Sequence, residues 1–176
     1  MPLEQGFVQV YTGNGKGKTT AAIGQAVRAL GSQLKVLLVQ FMKDYPYGEV
    51  TVLENLSPHL ELRRYGNDSF VFQKRPPSQT LKDQVKQGLD QALADMRGGR
   101  FDLVILDEVC VSVYFGLLNE EEVMAFIKQK PHQVELILTG RYCPKGILDA
   151  ADLVTEMKEI KHYYQQGILA RKGIES

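Results

Sequence analysis

The chain has 176 residues, 44% of them hydrophobic, with 21 basic and 21 acidic side chains and a formal net charge of zero. Its length suits a single domain, residues 1–176, with a sizeable core. The charge balance leaves no basic field of the kind that draws nucleic acid or an anionic membrane surface, so neither partner is expected. No apolar run is long enough to span a bilayer, and strand-like residues begin almost at once without a signal segment, so a cytoplasmic protein is expected.

Phe7 to Tyr11 reads as a buried strand, and Lys18 to Leu30 as a helix with Ala, Ile and Val on one face, closed by Gly31. Val36 to Val39 is a second apolar strand, and Leu60 to Tyr65 alternates in a way that suits a position nearer an edge, with irregular chain between the two. Pro76-Pro77 stops one segment. Ser78 caps the next, where Leu81, Val85, Leu89, Leu93 and Met96 recur at helical spacing up to Gly98-Gly99. Phe101 to Leu106 is a strand ending in Asp107-Glu108, Glu120 to Lys130 a helix ending at Pro131, and Val134 to Leu138 a strand ending in Thr139-Gly140-Arg141. Leu153 to Met157 adds a last strand, and Tyr163 to Lys172 is a polar tail. This alternation predicts an α/β fold of three layers: a mostly parallel sheet, helices on both faces, and a ligand crevice at the carboxyl ends of the strands.

The first strand runs into Thr12-Gly13-Asn14-Gly15-Lys16-Gly17-Lys18-Thr19-Thr20. Small residues let backbone N–H groups crowd around phosphate oxygens, Lys18 adds a charge, and Thr19 can offer its hydroxyl to magnesium. Gly17-Lys18-Thr19 fits the usual phosphate-loop pattern, but Thr12 holds the first glycine slot and Gly13 comes one place late. Asp107-Glu108 at a strand end supplies carboxylates for the metal, with Glu108 the first choice as ligand and Asp107 the second; a pair that merely solvates the strand end is the alternative. Arg141, at another strand end, can clamp a leaving phosphate chain or make a structural ion pair at the sheet's rim. Cys110 and Cys143 follow no C-x-x-C pattern, the three histidines lack metal-ligand spacing, and no Ser/His/Asp or Cys/His arrangement is readable. The nucleophile is therefore expected on a bound substrate.

The loop through Ala21-Ala22, then Gln40-Phe41-Met42-Lys43, Gly48-Glu49, Leu106-Asp107-Glu108, and Thr139-Gly140-Arg141 with Cys143 together resemble the P-loop corrinoid adenosyltransferases. So does the end of the chain: Ala151-Asp152-Leu153-Val154-Thr155-Glu156, Lys161-His162, Gly167, Ala170 and Gly173-Ile174. The resemblance implies a P-loop NTPase fold of the RecA-like type, and transfer of the 5′-deoxyadenosyl group of ATP to corrinoid cobalt(I) with release of triphosphate. It assigns ATP to Gly13, Asn14, Gly15, Lys16, Gly17, Lys18, Thr19 and Thr20, lying reversed in the cradle, with Lys18 and Arg141 catalytic and Mg2+ at Thr19, Glu108 and Asp107. It also implies that Phe70 and Phe72 exclude the corrinoid's lower axial ligand, Phe72 standing where relatives often have Trp. Two core-facing residues of a strand are the alternative for that pair.

A homodimer and a flavodoxin-like reductant are implied too. Relatives often carry a basic segment before the first strand that can cover a neighbour's active site, which this sequence lacks. An ordinary P-loop ATPase or kinase, and a non-catalytic nucleotide- or corrinoid-binding module, are the rival readings.

Overall fold

The computed structural model describes residues 3–45 and 47–175. Six strands form one sheet: β1 (Val8–Thr12), β2 (Val36–Phe41), β3 (Leu60–Tyr65), β4 (Leu103–Asp107), β5 (Glu135–Thr139) and β6 (Leu153–Glu156). The helices are α1 (Lys18–Gly31), α2 (Gly48–Leu56), α3 (Ser69–Phe72), α4 (Gln79–Arg97), α5 (Val109–Tyr114), α6 (Glu120–Lys128) and α7 (Lys145–Ala150), with a 3-10 turn at Tyr163–Gln166.

β2 and β4 are buried at every residue, as strands covered on both faces must be. Alternation divides the strand side chains between two cores. Val10, Leu37, Val39, Val104, Leu106 and Leu138 pack with residues of α4, α5, α6 and α7. Leu38, Leu103, Ile105 and Ile137 pack with Ala22, Ala26 and Ala29 of α1 and with Leu53 of α2. The small alanines let α1 lie close to the sheet, which brings the loop ahead of it over the strand ends.

Every strand pair is parallel, in the order β3-β2-β4-β5-β1-β6. One strand, β5, therefore separates the cradle strand β1 from the acidic strand β4, which is the RecA-like arrangement. The registers Tyr11↔Thr139 and Gln40↔Asp107 set the carboxyl ends of β1, β5, β4 and β2 in a row. At one margin, β3 is tied down by Arg63, which bridges Glu61 and Asp95 at 2.6 Å each.

The structure departs from the sequence expectations in four short helices. The irregular stretch after β2 contains α2, whose one buried residue, Leu53, leaves too thin an apolar face to read as a period. Phe70-Val71-Phe72 lies in α3 and is not a strand. The β-branched run of α5 would suit a strand by propensity, but tertiary packing of Val109 and Cys110 prevails. α7 is anchored by Ile147 alone among its buried residues. No helix of the described residues is long and apolar enough to cross a membrane.

Candidate active site

The loop after β1 departs from the general motif for a reason visible in its packing. Thr12 Oγ1 donates a hydrogen bond to Gly140 O at 2.9 Å, tying the cradle to the chain beyond β5. Gly13 has φ +96, and a Cβ on it would lie 2.5 Å from Met157 O; one on Gly15 would lie 2.7 Å from the same atom. The segment leaving β6 presses on the loop, with Gly15 N–H donating to Met157 O at 2.6 Å, so only glycine fits at both places. Gly17, at φ +118, leads into α1 without a side-chain cap, which leaves the helix's first N–H groups available to an anion. Lys18 Nζ is folded into the loop and donates to Gly13 O and Gly15 O at 2.7 Å each.

Asp107 is the hub of the crevice. Its Oδ1 accepts from Thr19 Oγ1 at 2.9 Å and from Thr139 Oγ1 at 2.6 Å, and its Oδ2 accepts from Lys43 Nζ at 2.7 Å and Gln40 Nε2 at 3.3 Å. Lys43 Nζ also donates to Thr19 Oγ1 at 3.0 Å. Burial works against the Lys43 ammonium, but the charge and hydrogen bond of Asp107, with Glu108 and Glu49, outweigh it and hold the pKa above the ordinary lysine value. Thr139 also accepts from the Glu108 N–H at 2.9 Å, so β4 and β5 are joined at the site through one hydroxyl.

Glu108 holds φ +63 where β4 gives way to α5, and none of the described hydrogen bonds involves its carboxylate. Burial raises its pKa, the charge of Asp107 adds to this, and Lys43, Lys18 and Arg141 offset part of it. Ionised Glu108 thus costs the folded state stability: its contribution is most favourable below the unfolded carboxyl pKa, about 4.3, and is lost as pH rises through the raised folded value. Glu108→Gln should therefore raise Tm of the ligand-free protein at neutral pH, with the gain vanishing near pH ~4. Thermal scans across that range test it; a gain confined to acid would reverse the assignment.

Arg141 is exposed at the end of β5, and no hydrogen bond or ion pair to it is found among the described residues. The rim ion pair is thus not formed, and the guanidinium charge is felt in the crevice. Burial lowers the Lys18 pKa, and Arg141 lowers it further against the opposing pull of Glu108 and Asp107. Two cations thus lie close enough to repel each other, which a polyphosphate between them would relieve.

A profile of the family described as ATP:corrinoid adenosyltransferase BtuR/CobO/CobP matches residues 4–176. The chain belongs to that family. It is 39% identical to the corrinoid adenosyltransferase of Escherichia coli (strain K12) over 173 residues, 98% of this chain and 86% of the relative. The corrinoid adenosyltransferase CobA of Salmonella typhimurium is 38% identical over 173 residues, with the same shares covered. Among solved structures, the flagellar accessory protein FlaH of Methanocaldococcus jannaschii shares the fold, with a TM-score of 0.59 over 88% of this chain and 72% of that one, at 16% identity.

The aromatic pair that the adenosyltransferase resemblance singles out is split by α3. Residues two apart on a helix point to nearly opposite sides. Phe70 is buried, edge-on to Phe115 at 5.8 Å, whereas Phe72 is 79% exposed. The strand reading, with both rings facing the core, is corrected accordingly. Tyr142, next to Arg141, holds φ +56 and stacks on Tyr114 at 4.2 Å. On the other side of the cradle, Lys16 pairs with Glu175 at 3.2 Å and donates to Ile174 O, so the chain's end lies over the loop's tip. Cys110 and Cys143 are free thiols.

The residues present fit a magnesium ion. Thr19 Oγ1 and Asp107 Oδ1 are 2.9 Å apart, about the spacing of neighbouring oxygens around octahedral magnesium bound at ~2.0–2.1 Å. Gln40 Oε1, buried beside Asp107, has no partner among the described residues and could accept from a metal-bound water. No cluster of three or more His, Cys, Asp or Glu exists among the described residues; magnesium at a triphosphate needs none, because phosphates and water complete its shell.

Thr19, Asp107, Glu108 and Arg141 are legible in the sequence as site residues, whereas Lys43, Thr139 and Gln40 are not; all three lie in stretches that resemble the family, the one signal for them.

Proposed function

We propose that this chain transfers the 5′-deoxyadenosyl group of ATP to the cobalt(I) of a corrinoid and releases inorganic triphosphate, in cobalamin synthesis or salvage. The observation that carries the reading is membership of the adenosyltransferase family over nearly the whole chain, in a molecule that keeps the shifted phosphate cradle with its lysine poised.

Cobalt(I) brings its own electron pair to the ribose C5′. The C5′–O bond breaks, that bond's pair leaves with the triphosphate, and the cobalt becomes formally cobalt(III). No protein base is required, which accounts for the lack of a nucleophile–base pair in the sequence. The protein's work is positioning, worth on the order of 7–11 kcal/mol, and stabilising the leaving group. Lys18, the loop N–H groups and Arg141 share the second task, since one hydrogen bond to a charged group supplies only about 1.5–3 kcal/mol. Magnesium held at Thr19 and Asp107, with Glu108 nearby, would add charge neutralisation at the phosphates.

An anaerobic reaction with ATP, magnesium and reduced corrinoid should yield one triphosphate for each photolabile adenosylcorrinoid. ADP and phosphate appearing without corrinoid would instead favour phosphoryl transfer or hydrolysis, and tight binding without chemistry a carrier module.

Phe72 is the residue of the aromatic pair with a free face, and it acts as an apolar wedge that keeps the lower ligand and its water from cobalt(II), easing the reduction that precedes transfer. Phe70 supports it from the core. A one-electron shift of about 59 mV corresponds to about 1.4 kcal/mol of differential binding, within reach of one exposed ring that becomes covered when the corrinoid binds. Phe72→Ala should restore the lower axial ligand in spectra of bound cobalt(II) corrinoid and slow its reduction; unchanged spectra would remove the wedge. A flavodoxin-like protein supplies the electron, the enzyme works in the cytoplasm, and it pairs as a homodimer. Leu153 and Val154 on the edge strand β6 are half-exposed, which supports the dimer.

A further inference from the structure

Both residues that suit a divalent cation are already bonded by one lysine, which takes the other carboxylate oxygen of Asp107. Lys43 Nζ donates at once to Thr19 Oγ1, at 3.0 Å, and to Asp107 Oδ2, at 2.7 Å. These residues are the two best placed to hold magnesium. Just before Lys43, at the end of β2, Met42 adopts the left-handed φ +59. The lysine side chain is 11% exposed, with the Tyr47 ring 5.4 Å from its ammonium. A structural ion pair would need Asp107 alone; Lys43 takes the threonine hydroxyl as well.

We propose that Lys43 is an exchangeable internal counter-ion, which holds Thr19 and Asp107 in a metal-ready pose, keeps a bare divalent cation out, and moves to phosphate oxygens when metal and nucleotide enter together. The inference rests on the reading that Thr19 and Asp107 hold magnesium. An ammonium on the carboxylate that a metal needs lowers the local negative charge and repels a second cation at close range. A lysine's flexible stem and three rotatable donors let it exchange one oxygen partner for another. The triphosphate supplies the new partner, so displacement of Lys43 is favourable only when the nucleotide arrives with the metal. Metal binding is thereby coupled to nucleotide binding without any larger motion of the fold.

The test uses Mn2+ alone, followed by loss of its free-ion paramagnetic resonance signal, with neither nucleotide nor corrinoid present. Wild-type protein should bind Mn2+ weakly, and Lys43→Met should bind one ion at least about tenfold more tightly. Adding Thr19→Ala to that variant should abolish the gain, which places the ion. Lys43→Gln, which keeps a polar donor one bond shorter and removes the charge, should behave as Lys43→Met does and replaces it if the methionine variant does not fold.

Equal Mn2+ affinity in wild type and Lys43→Gln would overturn the proposal. In wild-type crystals with Mn2+ and a non-hydrolysable ATP analogue, anomalous density should lie beside Thr19 with Lys43 on a phosphate oxygen. Lys43 still bonded to Thr19 there would also overturn it. No metal near Thr19 even with the analogue would overturn the metal assignment beneath it, and adenosyl transfer, measured separately, would stand.

Discussion

Replacing Lys18 with alanine should lower single-turnover adenosyl transfer by about 10²–10³-fold, the usual cost of removing one donor aimed at developing negative charge. The side chain is already folded against Gly13 O and Gly15 O, so its charge stands inside the cradle before substrate arrives and little reorganisation is needed at the moment of reaction. Negative charge on the triphosphate grows as the C5′–O bond breaks, so the loss should fall on the chemical step and persist at saturating ATP. Stability should change little. Burial and Arg141 already disfavour this ammonium in the folded protein, and water can take over the two loop carbonyls. Far-ultraviolet dichroism and Tm would check the fold, and rapid-quench detection of triphosphate the rate. Turnover near that of wild type would remove Lys18 from the reaction.

The largest effect on stability is expected at Asp107. Asp107→Ala would leave the Lys43 ammonium nearly buried beside a threonine hydroxyl, with Thr139 and Gln40 deprived of an acceptor. Breaking a buried pair from one side typically costs about 3–5 kcal/mol, which for a domain of this size lowers Tm by roughly 6–20 °C. The double variant Asp107→Ala with Lys43→Met should recover part of that loss, because the stranded charge is its main source. Urea unfolding of the four proteins of the cycle measures the coupling. A double variant no more stable than Asp107→Ala would mean that the cost lies in the hydrogen bonds to Thr139 and Gln40.

The parts of the fold that were legible from sequence are those whose signal is contiguous. α4 carries an apolar residue every three or four positions, opens at Ser78, whose Oγ accepts from Leu81 N–H at 3.2 Å, and closes at Gly98. β2 and β4 stood out because strands covered on both faces consist almost wholly of apolar residues. α2 and α7 did not stand out because each has a single buried residue, and α5 because its β-branched run suits a strand; each is helical because of what it packs against rather than by its own period. Phe70-Val71-Phe72 shows the same limit. Three apolar residues in a row fit a strand and a helix equally well, and only the packing of Phe70 on Phe115 decides that Phe72 faces outward.

The sequence by itself determined the phosphate cradle, since the glycines, Lys18 and Thr19 act within one short loop whose chemistry follows from their spacing. It also determined the all-round apolar strands, and hence a covered parallel sheet. Only the tertiary structure decided which carboxylate meets Thr19, that Thr12 ties the cradle to the chain just beyond β5, and that Lys43 reaches both Thr19 and Asp107. Those relations depend on β5 lying between β1 and β4 and on β2 lying beside β4. Lys43 is 24 residues from Thr19 and 64 from Asp107, and strand order, not local spacing, brings such distant side chains into one crevice.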